Sequence, residues 1–489
     1  MSTEEGSGRG RGQREEHRGV QHVEGEGVGF GVEFGFGPAF ELSLGRGELP
    51  RGRLERLGPA PDRRQDQVAP SPGAVVAGGE TVGLVLAGGG ARGAYEAGAV
   101  SVLLPHLEPR GERPKLLVGT SVGAMTAVYL ASVGHLDAEE AVSGLLERWR
   151  EVGKGEVIRS IIRRGGPSTV LHYAGAVLGV SGVRLLGLLD PSPIAATLDG
   201  WIDWRALHRN VRSGAVDAVA VVATSVASAR STVFVEGRTR KELFSSYGID
   251  YEPVRVANAH VLASGAIPTF FPAVRVDSPA RARGWYFDGG TRLNTPIKPV
   301  LDLGGDRLVL LATDSIERSR VSPAEAPDAA PDFSGGAVEL LQATLVDPLC
   351  NDVRMLGKIN LLAGEGSGSS DVDRYQEARG KRPYRQIPYI FVAPSSRGEL
   401  GRRATEVFSH RYGGLKGLRS PDFALLTRLL GGEGHSHGEL LSYLFFEREF
   451  VDGLIEMGRS DAISWLERVD GDAAPWYFNP VDELFGGTA

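Results

Sequence analysis

The stretch VGLVLAGGGARGAYEAGAV, residues 82–100, decides the fold. Five residues that are apolar apart from one glycine form a short buried strand. A run of glycines turns the chain, and small residues then carry it into a helix. The same reading applies to KLLVGTSVGAMTAVYLA, residues 115–131: strand, tight turn, helix. Further buried strands are expected in AVDAVAVVATSV (215–226), at Trp285 to Phe287, in DRLVLLAT (306–313) and in IPYIFVA (387–393). Helical stretches fall between them, one running through Leu145 to Val152. Strands alternating with helices predict an α/β fold with a mainly parallel sheet.

Outward from this core the character of the chain changes. Residues 1–77 are rich in Gly, Arg, Glu and Pro and bury too little apolar surface to offset ordering entropy, so they read as a disordered tail. Within it, VGFGVEFGFGPAFELSL (28–44) alternates glycine with Phe and Val and could add a strand or an adhesive patch. A catalytic domain is expected over 78–313 and a C-terminal extension over 314–489. The extension opens on a Pro/Ala/Asp-rich linker from Ser315 to Asp332. A helix around Val338 to Leu362 follows, then a loop from Gly364 to Asp371. Leu440, Leu441, Leu444, Phe445, Val451, Leu454 and Ile455 have helical spacing, with Gly458 as the expected stop.

Composition narrows the function classes. The 489 residues carry a formal net charge of −7, which gives no reason to expect a nucleic-acid partner. The single cysteine, Cys350, permits no internal disulfide and reads as a buried apolar residue. The first 20 residues lack a secretory h-region, and no run of 18 apolar residues occurs. Cytoplasmic residence is expected, with room for peripheral membrane contact. A basic then apolar stretch from Ile158 to Leu189 reads as a buried helix pair; a lid or membrane surface is the alternative.

Three motifs carry chemistry. Gly119-Thr120-Ser121-Val122-Gly123 is a G-x-S-x-G pentapeptide between an apolar strand and an apolar helix. Its glycines let the strand turn so sharply that the serine is exposed at the apex, facing a helix N-terminus that favours negative charge. Gly88-Gly89-Gly90-Ala91-Arg92-Gly93 exposes successive backbone amides at a helix start, where they can cradle an oxyanion. Arg92 would order the loop, meet an anionic head group or form a structural ion pair. Asp288-Gly289-Gly290 puts an acid at a strand end, where two glycines allow another loop to approach.

The glycine string also satisfies G-x-G-x-x-G, so a nucleotide-binding module using Gly88 to Gly93 is an alternative. It lacks an acidic residue at the end of the second strand, where a ribose would need one; Glu108 and Glu112 fall in a Pro/Arg-rich loop. A triad hydrolase would need a histidine after the acid, and His410, His435 and His437 meet that order. None has a distinctive setting, and His435 to His437 reads as a Gly-rich loop, weak as a metal pair.

Taken together, strand–GGGxRG–helix, strand–GxSxG–helix and a late strand–DGG resemble the patatin-like phospholipase family. LDPSP (189–193), ASGAIP (263–268) with Phe271-Pro272, and DGGTRLNTPIKP (288–299) also look like segments of that family. The resemblance covers about 82–313. ATSVASARSTVF (223–234) departs from it by lacking an acidic residue near its start. The family implies a three-layer α/β/α sandwich and a Ser–Asp dyad. By that resemblance Ser121 is the nucleophile, Asp288 its base, and Gly88 to Gly93 form the oxyanion hole. The expected substrate is a phospholipid or other lipid ester, hydrolysed without metal or cofactor. The non-enzymatic alternative is a catalytically idle lipid-binding or scaffold protein on the same fold.

Overall fold

The computed structural model describes residues 80–153, 159–160, 189–190, 192–237, 248–268, 270–316, 347–365, 385–412, 435–469 and 475–484. The expected tail, most of the basic–apolar stretch from Ile158 to Leu189, and the linker beyond Ile316 lie outside these residues.

In chain order the first elements are β1 (Val82–Leu86), α1 (Gly93–Leu107), β2 (Leu116–Thr120), α2 (Val122–Ser132) and α3 (Ala138–Glu151). Two short paired strands, β3 (Arg159–Ser160) and β4 (Leu189–Asp190), precede α4 (Ser192–Trp201) and α5 (Trp204–Ser213). Then come β5 (Ala218–Ser225), β6 (Ser231–Gly237), β7 (Ile249–Pro253), α6 (Asn258–Ser264), β8 (Val274–Val276) and β9 (Gly284–Asp288). The last elements are α7 (Ile297–Leu303), β10 (Arg307–Leu311), α8 (Asp347–Glu365), β11 (Tyr389–Val392), α9 (Glu399–Tyr412), α10 (His435–Leu444) and α11 (Arg448–Val469).

The main sheet has nine strands in the order β11-β10-β1-β2-β5-β6-β7, with β9 pairing both β5 and β8. Pairing is parallel from β11 through β5, and again between β6 and β7. It is antiparallel where β5 meets β6 and β9, and where β9 meets β8. β1 and β2 are buried at all five positions, as unbroken apolar runs in a covered parallel sheet require. Right-handed crossovers put α1 and α2 on one face. The chain then returns from β9 to β10 on the far side of β1, which puts α7 on the other face; a Cβ on Gly83 would lie 2.1 Å from Val300 of α7. The result is the expected mostly parallel sheet between helical layers. The strand order reverses at β1, so the turns after β1, β2 and β10 gather at one edge of the sheet, where open α/β sheets hold their sites.

Several local expectations need correction. Strands β6, β7 and β8 went unread, because SSYGIDYEP and its neighbours carry no long apolar run. Gly458 does not stop a helix; α11 continues to Val469. Its reason is close packing: a Cβ on Gly458 would stand 2.0 Å from the Tyr95 carbonyl oxygen, and one on Gly98 2.1 Å from that of Ile455. Helices α1 and α11 cross there nearly backbone to backbone. Gly364 lies inside α8 rather than opening a loop, and His435 begins α10 rather than lying in a Gly-rich loop. Cys350 is buried, as expected.

Candidate active site

At the end of β2 the chain turns through Ser121, which has φ 54° and ψ −122°. Positive φ is costly for a residue with a Cβ and persists only where the surroundings hold it. Here the surroundings are backbone. A Cβ on Gly119 would lie 2.2 Å from the Gly123 carbonyl oxygen, and one on Gly123 2.4 Å from that of Leu86. Neither glycine can therefore be larger. Ser264, fully buried in α6, holds the turn from the far side: its Oγ accepts the Ser121 amide at 2.7 Å and donates to the Val222 carbonyl at 2.5 Å. Thr120 turns inward, and its Oγ1 donates to the Leu293 carbonyl at 2.9 Å. Val122 begins α2, so the helix N-terminus points at the serine. Ser121 itself is only 7% exposed, at the wall of an apolar cavity rather than at an open apex.

Asp288 ends β9, with the Ser121 side chain close enough to act on its carboxyl. Its Oδ1 accepts the Gly290 amide at 2.6 Å, and Thr224 and Thr291 donate to its carbonyl. Gly289 is required because a Cβ there would strike the Val222 carbonyl oxygen at 2.4 Å. Burial pushes the Asp288 carboxyl up to about 6, against the Gly290 amide and the nearby Ser121 side chain, which favour the charged form.

The glycine loop lies beside the serine. A Cβ on Gly88 would come 3.2 Å from that of Ser121, and Gly90 lines the cavity with it. The six expected oxyanion donors do not all remain available. The Gly88 amide donates to Asn294 Oδ1 at 3.0 Å, that of Arg92 to the Gly89 carbonyl at 3.1 Å, and that of Gly93 to the turn's own carbonyls. The amides of Gly89, Gly90 and Ala91 open the turn, where no intrahelical acceptor exists. The Arg92 side chain is 1% exposed and paired with Asp314 and Glu439, so it is the structural ion pair and not a head-group ligand. Beneath the loop Glu96 is fully buried, and one oxygen accepts the Ala87 amide at 2.7 Å. Burial drives its carboxyl well above the usual range.

The cavity that Ser121 and Gly90 share is apolar, walled by Met125, Trp149, Leu198, Trp201, Phe271 and Leu444 among others. No histidine lines it among the described residues. His410 is exposed on α9, 4.0 Å from Glu449. Among the described residues no group of three or more His, Cys, Asp or Glu is placed to hold a metal, and no helix is long and apolar enough to cross a membrane.

Sequence reading singled out the segments containing Ser264 and Asn294 but not their tasks. It missed Glu96, Asp314, Glu439 and Ser442, which no local pattern marks.

The mostly parallel sheet, covered by helices on both faces, thus carries a serine at positive φ and a buried carboxyl at one edge. Residues 84–301 match the family model described as patatin-like phospholipase. No curated protein matches the chain. Among solved structures it is similar to VipD from Legionella pneumophila, at 16% identity and a TM-score of 0.25, with 65% of this chain and 61% of that one covered. The match thus spans about three fifths of VipD's length.

Proposed function

We propose that the protein is a serine lipid acyl hydrolase that cleaves carboxyl esters of phospholipids or lysophospholipids through a Ser121–Asp288 dyad. The observation that carries this reading is Ser121, held at positive φ in the wall of an apolar cavity beside Gly90, with its side chain close enough to act on the buried Asp288 carboxyl. In this mechanism Ser121 Oγ attacks the ester carbonyl while Asp288 takes its proton. A carboxyl raised to about 6 is a better base than an ordinary aspartate and is still ionised at neutral pH. The developing oxyanion is met by the amides of Gly89 to Ala91 and by the N-terminus of α2. The neutral Asp288 acid then donates its proton to the leaving alcohol. Water, deprotonated by the same carboxylate, attacks the acyl-serine, and Asp288 returns that proton to the departing Ser121 Oγ as the fatty acid is released. An apolar cavity suits an acyl chain, and the match to the patatin-like phospholipase model favours a lipid ester over a small polar one.

The test is a lipid panel read by product mass, beside fluorophosphonate labelling. Fatty-acid release and labelling of Ser121, both lost in Ser121→Ala, are expected. A folded wild-type chain that neither labels nor releases fatty acid would leave an idle lipid-binding protein.

A further inference from the structure

Arg92 is a heavily bonded side chain beside the site, and the partners of its guanidinium all come from outside the family-matched residues. Its Nη2 donates to Glu439 Oε2 at 2.5 Å and to the Glu439 carbonyl at 3.3 Å. Nη1 reaches Asp314 Oδ2 at 3.1 Å and the Thr313 carbonyl at 3.4 Å. Nε donates to Ser442 Oγ at 2.8 Å, and the Tyr443 ring lies 4.1 Å from the guanidinium carbon. Backbone contacts follow the same lines. A Cβ on Gly90, at φ 56°, would stand 2.2 Å from the Tyr443 carbonyl oxygen. A Cβ on Gly89 would stand 2.7 Å from Thr313 Oγ1, which donates to the Gly88 carbonyl at 3.1 Å. The loop is therefore gripped between the end of β10 and helix α10, and Tyr443 and Leu444 of that helix also line the cavity.

We infer that Glu439 and Asp314 are positioning residues of the hydrolase site, holding the glycine loop through Arg92, and that helix α10 is an integral part of that site. A buried guanidinium fixed at all three nitrogens leaves the turn Gly90 to Arg92 little freedom, so the amides of Gly89 to Ala91 keep one direction. Without Glu439 the guanidinium loses its shortest hydrogen bond and the loop its main restraint. The inference rests on the reading of Ser121 and the loop proposed above.

The experiment uses the full chain with Glu439→Gln, Glu439→Asp and the milder Ser442→Ala. Each is measured for kcat and KM on a soluble ester and for hydrogen exchange in peptides covering the glycine loop and the Ser121 turn. Glu439→Gln is expected to lower kcat about tenfold or more, the scale of a misplaced oxyanion donor, with KM within about threefold. Exchange should rise in the loop peptide and stay unchanged in the Ser121 peptide, and Glu439→Asp should recover part of kcat. If Glu439→Gln does not fold, Ser442→Ala decides, with a fall in kcat and faster loop exchange expected. Wild-type kcat and loop exchange in the folded variants would overturn the inference. Failure of the proposed function is distinguishable: wild type would neither turn over nor label, while loop exchange would still report whether Glu439 holds the loop.

Discussion

The two glycine turns at the edge of the sheet do comparable work and are held in opposite ways. Around Ser121 the restraints are mostly local: Gly119 packs on Gly123, and Gly123 packs on the strand beside it. Ser264 supplies the one distant side-chain bond to the serine amide. Around Gly89 to Ala91 the restraints are side chains from 206 to 350 residues away: Asn294, Thr313, Asp314, Glu439 and Ser442. The Ser121 turn can thus be written into five residues, whereas the glycine loop is completed only when the C-terminal part of the chain has docked. Loss of distant packing should therefore damage the donor side first and leave the nucleophile turn formed.

The largest effects should come from the pair that joins the two turns to chemistry. Ser121→Ala and Asp288→Asn should each lower turnover by roughly 10⁴-fold, as loss of a catalytic partner does elsewhere. They should differ in stability. The folded Asp288 carboxyl sits at about 6, above its ordinary range, so the stability owed to its neutral form is present at low pH and is lost as pH rises through about 6. Asparagine removes that loss. Above pH 7, Asp288→Asn should exceed wild type by on the order of 2–3 kcal/mol in urea unfolding, and the gain should vanish near pH 4. A variant less stable than wild type at pH 8 would show that the carboxylate is favourably held instead.

Steric substitutions separate the turns next. Gly123→Ala sets a methyl 2.4 Å from a strand carbonyl, which cannot yield, so the Ser121 turn should open and activity fall beyond detection. Gly89→Ala meets first the Thr313 side chain, 2.7 Å away. A cost near that of overpacking, about 1–3 kcal/mol, and a loss of activity of roughly tenfold are expected. Thr313→Ala should relieve Gly89→Ala in the double variant and should do nothing for Gly123→Ala. Relief of both would mean the turns are not independently held.

This difference also governs what could be read from the sequence. Both strand–glycine–helix units, the mostly parallel sheet and the placing of Ser121 at a strand–helix turn followed from short patterns, because each is a local event. Asp288-Gly289-Gly290, by contrast, is by itself only a turn signal and drew its reading from the family resemblance. The donors were over-counted, since Gly88 and Arg92 look like free amides until Asn294 and the turn's own carbonyls are seen to take them. Arg92 could not be assigned from its neighbours; its partners Asp314 and Glu439 lie in segments that read as linker and extension. Gly458 misled for the same reason, its role being set by Tyr95 in another helix.

The pH profile should show a smaller effect. Asp288 must be ionised to take the serine proton, so kcat/KM on a soluble ester should rise with pH and level off above about 7, with a midpoint near 6. Between pH 5 and 7 the rise is about tenfold, the titration of one group. Fluorophosphonate labelling of Ser121 should follow the same curve. A midpoint near 4 would place Asp288 in a far more polar setting than the one described.

The smallest effect expected is that of the histidines, and it bears on the comparison directly. If a histidine supplied the base, the Ser121 turn would depend on a far segment for its chemistry, as the glycine loop does for its shape. His410 lies exposed on α9, and its contact is with Glu449 on the same surface. His435 and His437 open α10, the helix that bears Glu439. Each of His410→Ala, His435→Ala and His437→Ala should therefore retain at least about a third of wild-type turnover, on the order of 0.6 kcal/mol of barrier or less. Any loss at His435 or His437 should leave the pH midpoint at about 6, because Asp288 is untouched. A well-folded histidine variant that fell as far as Asp288→Asn, and whose midpoint moved, would make that histidine the base and Asp288 its orienting partner.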